Sequence, residues 1–252
     1  MSSTTTIQQQ FYKARLSPIT LEHLPFASLT QKSISDLITT LGGRKRLGVA
    51  ASYGEKCCLD ALVFSTETRV LLITMDATSR AAKRAKQVLR NNILCDDSLE
   101  KHGFMMERIA AALYLDLSLN IRNAFDVTFD GSQRGSMAAF KGVLARARAK
   151  DLLDESAVKH IFTERPFTLS KKKEFALRAW ACYVAVQALP DMPDVIDTST
   201  KDPKAGSNIQ LRSTFHLIIL QPIGAELDVQ TCPRCRSFGL YETKFHYKRR
   251  QQ

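Results

Sequence analysis

Three short apolar runs follow one another closely in this chain, and their spacing constrains the fold more than any other feature of the sequence. The runs cover residues 47–51, 57–64 and 68–74, and only short polar segments separate them. Apolar runs of this length between polar turns are typical of strands, and connections this short join strands that run antiparallel. The pattern predicts a meander of three antiparallel strands.

Helical periodicity surrounds the meander. Apolar residues recur at intervals of three and four in several segments, and two other segments favour extended structure. The predicted helices cover residues 33–41, 76–91, 104–115, 137–153 and 170–189, and the predicted extended segments cover 93–95 and 119–127. Strands that alternate with helices indicate an α/β domain, in which helices flank a mixed central sheet.

The two ends of the chain differ from this domain in composition. Residues 1–30 are polar at the start and contain Pro18 and Pro25, which predicts a flexible lead-in before a domain at 31–190. Residues 191–209 begin with an acidic, proline-containing stretch and are interpreted as a linker. Residues 210–252 form a C-terminal extension, in which a predicted strand at 210–220 packs back on the domain before a basic tail. The way the tail ends suggests that the sequence is the N-terminal segment of a larger protein.

The charge of the chain favours polyanionic partners. The formal net charge is +11 and the pI is near 9.5, which suits RNA, another single-stranded nucleic acid or an acidic protein surface. Exposed helical faces are often basic without binding anything, so a solvated surface is the alternative. The candidate phosphate-binding residues lie on two predicted helices: Arg80, Lys83, Arg84, Lys86, Arg90, Arg146 and Arg148.

Other features indicate an intracellular protein. No apolar run is long enough to cross a bilayer, and the N-terminus lacks the basic start and apolar core of a secretion signal. The six cysteines do not have the spacing of a disulfide scaffold, which favours reduced thiols. We expect the nucleus or the cytoplasm, with no membrane partner.

Three ordered segments resemble a known family of nucleases. They are ILCDDSLEKHGF at residues 93–104, LNIRNAFDV at 119–127, and RPFTLS at 165–170 followed by FALRAWA at 175–181. In this order they are similar to the segments around the motifs of the DEDD-type 3′–5′ exonucleases, the family of RNase D and the Werner exonuclease domain. The resemblance implies an RNase H-like fold over about residues 45–190.

The residues that carry the chemistry of that family are changed here. The resemblance places its first motif, two acids separated by one residue, on Ala50 and Ser52. Its second aspartate falls near Glu107, and its last aspartate falls on Ala179, with Phe175 in place of a tyrosine. The family uses carboxylates to hold a pair of metal ions that activate water. Alanine, serine and phenylalanine side chains cannot replace these carboxylates, so the resemblance implies an inactive member of the family.

A different register would leave other acids to bind metal. Asp60, Asp76, Asp116 and Asp126 are the candidates in that case. An active metal-dependent 3′–5′ exonuclease with displaced carboxylates therefore stays open as an alternative.

The C-terminal tail contains half of a zinc motif. Cys232 and Cys235 have the spacing of a zinc-binding pair, and His246 follows downstream. A closed structural zinc site needs four ligands, so a turn with two free thiols is an equally good interpretation. No other cofactor is expected.

These observations lead to one leading hypothesis. The chain is expected to be a catalytically inactive 3′–5′ exonuclease-like module, a pseudo-exonuclease. The resemblance implies that such a module binds RNA or docks protein partners in RNA processing or silencing. A pure protein-interaction scaffold that binds no nucleic acid is the third hypothesis, and the sequence does not specify an oligomeric state.

Overall fold

The computed structural model describes residues 2–14, 16–41, 43, 45–54, 58–75, 80–128, 136–163 and 168–187. Within these ranges it contains one mixed sheet and helices on both of its faces, which confirms the predicted α/β class. The strands are β1 Ser3–Ile7, β2 Ile19–Pro25, β3 Arg46–Tyr53, β4 Leu59–Ser65, β5 Arg69–Thr74, β6 Glu100–Gly103 and β7 Ala124–Asp126. The helices are α1 Gln31–Ile38, α2 Arg80–Leu89, α3 Met106–Leu117, α4 Met137–Ala147, α5 Glu155–Phe162 and α6 Lys172–Gln187.

Three short helical turns complete these elements. A π-helical turn, Arg90–Leu94, continues α2, and 3₁₀ turns at Phe26–Ser28 and Leu169–Lys171 precede α1 and α6.

The strands lie in the order β1-β2-β5-β4-β3-β6-β7. The meander β3, β4 and β5 pairs antiparallel as predicted, with Val63 of β4 between Ala50 of β3 and Leu72 of β5. Beyond β3, strands β6 and β7 add in parallel, and Gly103 pairs with Val49. Beyond β5, β2 adds in parallel and β1 adds antiparallel at the edge. Three antiparallel strands followed by two parallel ones give the RNase H-like arrangement that the resemblance implies.

The sheet separates two hydrophobic cores, because successive side chains of a strand point to opposite faces. In β5, Val70 and Leu72 pack into the core that is covered by α4, α5 and α6. Leu71 and Ile73 pack into the other core, which is covered by α1, α2 and α3. Buried strands of this kind read as continuous apolar runs, which is why the meander was visible in the sequence.

Side-chain caps fix where several helices begin. Thr30 Oγ1 accepts a hydrogen bond from Ser33 N at the start of α1, and Asp154 Oδ1 accepts from Ala157 N at the start of α5. Ser136 Oγ accepts from Ala139 N in the same way for α4. Such caps satisfy amide groups that have no partner within the helix.

The prediction of a flexible lead-in at residues 1–30 was wrong. These residues supply β1 and β2, and Ile19 and Leu21 of β2 are completely buried. Phe11, between the two strands, is also fully buried and stacks on Trp180 with ring centroids 6.1 Å apart. The domain therefore begins at β1 and not at residue 31.

Several predicted boundaries also changed. Residues 93 and 94 end the π-helical turn and Cys95 caps it, so none of them is in a strand, and of residues 119–127 only Ala124–Asp126 form one. The helix predicted over 137–153 ends at Ala147, and α5 follows as a separate helix. The four-residue strand β6 was missed because it carries Glu100, Lys101 and His102, which hide its extended pattern.

The predicted linker at 191–209, the predicted strand at 210–220 and the basic tail lie outside the described residues. Among the described helices, none has the length and apolar character needed to span a membrane.

Candidate functional site

The candidate site is built where α6 lies directly on β3. Gly48, Ala50 and Ser52 alternate along β3 and therefore share one face of the sheet. A Cβ atom at Gly48 would lie 2.0 Å from the carbonyl oxygen of Ala179 and 2.5 Å from the amide nitrogen of Tyr183. Because glycine has no side chain, the backbone of α6 can approach β3 this closely at position 48.

The direction of α6 relative to β3 brings Phe175 and Ala179 into the same core as Ala50. At the start of β3, Arg46 Nη1 donates a hydrogen bond of 3.2 Å to Val186 O, near the end of α6. Ala179 lies over Gly48, further along the strand. The helix therefore runs opposite to β3, and Phe175, one turn before Ala179, lies towards the Ser52 end of the strand.

This part of the site is apolar and closed. Phe175 and Ala179 have no exposed surface, Ala50 is 7% exposed, and all three belong to the same hydrophobic core. Ser52 is 2% exposed, and its Oγ has no hydrogen-bond partner among the described residues. A carboxylate placed in such surroundings would lose its hydration without gaining a partner. These residues therefore do not fit the pair of metal ions that the resemblance implies.

The fourth predicted carboxylate position, Glu107, differs from Ala50, Ser52 and Ala179 in its exposure. Glu107 is exposed in the first turn of α3. The helix begins directly after Met105, whose φ of 58° is left-handed. Glu107 is thus an acid on the surface, whereas Ala50, Phe175 and Ala179 are in the core.

The acids proposed as displaced ligands have other contacts. Asp126 is 6% exposed, and its carboxylate accepts hydrogen bonds from Met106 N (3.0 Å) and Thr128 N (2.8 Å), so it caps the start of α3. Asp116 accepts a hydrogen bond of 2.7 Å from Leu59 N.

Asp60 lies in β4 where the pairing with β3 shifts register, between Leu59, which pairs with Tyr53, and Ala61, which pairs with Ser52. It lies beside Gly54, and burial raises the pKa of its carboxyl group. Asp76 lies outside the described residues. In the described ranges, no three or more His, Cys, Asp or Glu side chains are grouped so that they could hold a metal ion.

The predicted phosphate-binding residues fall on two separate surfaces. Helix α2 packs on the core shared with α1 and α3, and α4 packs on the core shared with α6. The sheet therefore lies between the α2 set and the α4 set, and the two sets do not form one continuous groove. Lys83, Arg84, Arg90 and Arg146 are exposed, Lys86 and Arg148 are half-buried, and only the backbone of Arg80 is described.

Arg148 already has partners within the protein. Its Nε lies 2.7 Å from a carboxylate oxygen of Asp151, and its guanidinium lies 5.8 Å from the ring of Tyr12. It is therefore a weaker candidate for phosphate binding than Arg146.

The predicted zinc ligands Cys232, Cys235 and His246 lie outside the described residues. Of the cysteines in the described ranges, Cys58, Cys95 and Cys182 form no disulfide. Burial raises the pKa of the Cys182 thiol to about 12, so this residue is a packing group of α6 and not a nucleophile.

The sequence did not reveal a partly buried cluster of polar and charged side chains at the start of β3. Glu100 Oε2 lies 2.9 Å from Arg46 Nε and 3.1 Å from His102 Nε2. These residues stand on neighbouring parallel strands, and the hydrogen bond from Arg46 to Val186 O extends the cluster to α6. Glu100 and His102 share one face of β6, but a strand of four residues is too short to recognise without its pairing with β3.

Comparison with known proteins gives similarity to solved structures only. No family model matches the chain, and no curated protein matches its sequence. The chain is similar to the EXO domain of Nibbler from Aedes aegypti, with 17% identity, a TM-score of 0.47, and coverage of 67% of this chain and 86% of that one. It is also similar to RNase D from Trypanosoma brucei, with 16% identity, a TM-score of 0.44, and coverage of 69% and 67%.

A third similar structure is RNase D from Escherichia coli, described as an exoribonuclease involved in structured RNA processing. The identity is 15%, the TM-score is 0.39, and the match covers 65% of this chain and 42% of that one. In all three cases the similarity is one of fold.

Proposed function

We propose that this chain is a catalytically inactive 3′–5′ exonuclease-like module that binds RNA without degrading it. The observation that carries the proposal is the apolar character of the site on β3 and α6. At three of the four positions where the resemblance calls for carboxylates, the chain has Ala50, Ser52 and Ala179, and Phe175 packs into the same core as the two alanines.

The physical reason is the cost of charge in this environment. Two-metal hydrolysis of a phosphodiester needs several carboxylate oxygens in contact with both ions. Here Phe175 and Ala179 are completely buried in the hydrophobic core, with the Arg178 guanidinium 4.3 Å from the centre of the Phe175 ring, and Glu107 is on the surface. A single exposed glutamate is not a sufficient ligand set for two divalent ions.

The contacts of the other acids also favour inactivity over a displaced active site. A carboxylate that accepts backbone hydrogen bonds at the start of a helix, as Asp126 does, has a structural reason to be where it is. Asp60 and Asp126 lie on different strands and take part in different contacts.

The basic character of the chain favours RNA as the partner. A net charge of +11 attracts a polyanion over a long range and raises the rate of association. Both the nucleus and the cytoplasm contain RNA, so the expected localisation agrees with this partner.

The experiment that tests the proposal is a nuclease assay on the full chain. A single-stranded RNA labelled at its 5′ end is incubated with the protein and Mg²⁺ or Mn²⁺, and the products are separated by gel electrophoresis. We expect no shortening of the RNA, and a shift of its mobility in a native gel without metal. The matched control is Glu107→Gln, which we expect to behave like the natural sequence.

Two results would contradict the proposal. One is stepwise, metal-dependent shortening from the 3′ end that Glu107→Gln abolishes, since it would mean that Glu107 belongs to a working site. The other is the absence of any RNA binding at low salt, which would favour a protein-interaction scaffold.

A further inference from the structure

The outer face of α2 differs from the other basic surfaces of the described structure. Ala85 and Leu89 are buried against the core, and Lys83, Arg84 and Arg90 are exposed on the side away from it. Gln87, between Arg84 and Arg90, and Asn91, directly after Arg90, are also exposed. We call these five residues the α2 strip.

The charge of the α2 strip is not balanced by neighbouring acids. The sequence has no Asp or Glu from residue 80 to residue 95, and Lys83, Arg84 and Arg90 form no salt bridge with a described residue. Six other cations are paired with acids: Lys32 with Asp36, Arg46 with Glu100, Arg69 with Glu22, Arg122 with Asp97, Lys141 with Glu155 and Arg148 with Asp151. Among the described residues, Lys83, Arg84 and Arg90 are thus three unpaired cations within about two turns of one helix face that carries no acid.

The dimensions of the α2 strip suit a phosphate backbone. From Lys83 to Arg90 the helix rises by roughly 10 Å, at about 1.5 Å per residue. The side-chain amides of Gln87 and Asn91 add neutral donors, and a hydrogen bond of 2.7 Å from Gln87 Nε2 to Asn91 Oδ1 joins them. Cationic and amide groups of this kind form most contacts to phosphate and sugar oxygens.

The composition of the strip also limits what it can recognise. No aromatic residue occurs between residues 80 and 95, so this face has no platform on which bases could stack. Contacts to phosphates alone position a nucleic acid but carry no sequence information. A strip of this kind binds the RNA backbone with little preference for base.

Resting on the proposed function, we propose that the α2 strip is the RNA-binding surface of this protein. RNA then lies on the face of the sheet covered by α1, α2 and α3, across the sheet from the apolar site on β3 and α6. The fold would therefore hold RNA on a surface that is separate from the positions of the lost carboxylates.

The test measures RNA binding by the full chain with its charges removed from one face at a time. Fluorescence anisotropy of a short labelled poly(U) RNA gives Kd over a series of salt concentrations, and poly(A) is measured in parallel. The test variant is the triple substitution Lys83→Gln, Arg84→Gln and Arg90→Gln. The matched control is Arg146→Gln, Lys150→Gln and Lys173→Gln, which removes three exposed charges carried by α4, the segment after it and α6.

We expect the α2 variant to bind poly(U) between about tenfold and a hundredfold more weakly at about 0.1 M salt. The slope of log K against log salt should become shallower by about 2, because each phosphate contact to a single strand contributes about 0.7. Poly(A) and poly(U) should bind with similar affinity, and the control variant should keep most of the affinity. Circular dichroism of both variants checks that the fold is retained.

Three results would overturn the inference. If the control variant loses affinity and the α2 variant does not, RNA lies on the α4 side of the sheet, while the proposed function stands. A strong preference for one base would contradict binding through phosphates alone. If the natural sequence binds no RNA but binds an acidic polypeptide through the same strip, the proposed partner and this inference both fail, while the absence of nuclease activity is unaffected.

Discussion

At the scale of the single residue, Gly48 decides whether the site can form. Its Cα–H faces the backbone of α6, and the nearest atoms to an added Cβ are backbone atoms that cannot rotate away. Small residues at such crossings allow a helix and a sheet to approach closely, whereas added volume in a packed core forces the backbone to move.

We expect Gly48→Ala to destabilise the protein by about 3 kcal/mol or more, since α6 would have to move away from β3. Urea unfolding followed by circular dichroism measures the change. The matched control is Gly142→Ala in α4, where the nearest atom to an added Cβ is Arg146 Nη1 at 3.9 Å. That change should stabilise the protein by about 0.5–1 kcal/mol, because alanine is the better helix former. Equal effects of the two substitutions would contradict the close packing described for Gly48.

At the scale of the elements, the cluster of Arg46, Glu100 and His102 joins β3, β6 and α6. Burial lowers the pKa of His102, so its ring is neutral near pH 7. His102 Nδ1 has no hydrogen-bond partner among the described residues, which assigns the proton to Nε2 and the hydrogen bond to Glu100. The hydrogen bond from His102, together with that from Arg46, lowers the pKa of Glu100 to about 2.

This shift makes the cluster sensitive to acid. A carboxyl group whose pKa is lower in the folded protein than in the unfolded chain stabilises the fold above its unfolded pKa, and this contribution is lost as the pH falls to the folded value. For Glu100 the window runs from 4.5 down to about 2. Since its side chain is 38% exposed, solvent screens the interaction, and we expect a contribution of about 1 kcal/mol.

The prediction compares Glu100→Gln with the natural sequence. Near pH 6 the variant should be less stable by about 1 kcal/mol, and the difference should shrink as the pH falls through about 4.5 towards about 2. Urea unfolding at a series of pH values measures both proteins. A difference that stays constant over this range would show that the charge of Glu100 does not stabilise the fold.

At the scale of the whole molecule, the N-terminal residues complete the sheet. Strand β2 pairs with β5 along its whole length, and β1 covers the outer edge of β2. Phe11 and Tyr12 connect this edge to the helices, since Phe11 stacks on Trp180 of α6 and the Tyr12 hydroxyl donates a hydrogen bond of 2.9 Å to Leu144 O in α4. The first strands are therefore part of one cooperative core with the last helices.

We expect a chain that starts at Gln31 to be insoluble or unfolded. Its loss of β1, β2 and Phe11 exposes β5 as an unpaired apolar edge and leaves Trp180 without its stacking partner, and exposed edges of this kind aggregate. Soluble yield and circular dichroism are the measurements. The control is Gln10→Ala in the full chain, an exposed position where we expect a change within about 0.5 kcal/mol. A soluble, cooperatively unfolding chain from Gln31 would contradict the role of these strands.

The sequence by itself determined the class of the fold. The meander at β3, β4 and β5 was predictable because its strands are buried on both faces, and such strands read as apolar runs that need no tertiary information. The order of three segments that resemble the DEDD-type exonucleases implied a mixed central sheet and the positions of Ala50, Ser52, Glu107 and Ala179. Helix α6 was predicted almost to its last residue, because its length and its apolar content are local properties.

Only the tertiary structure decided which of these residues lie in the same core and on which face of the sheet. Ala50 and Phe175 are far apart in the sequence, and they share one core because α6 packs on β3. Gly48 allows this packing, and its role could not be predicted before the helix was placed on the strand. Strands β1 and β2 were missed since they carry polar residues such as Thr5 and His23, and are stabilised by pairing with each other and with β5. Helices α2 and α4 were both recognisably basic, but the sheet between them exists only in the folded chain. Side-chain chemistry is local, whereas the face of the sheet on which a side chain lies depends on long-range pairing.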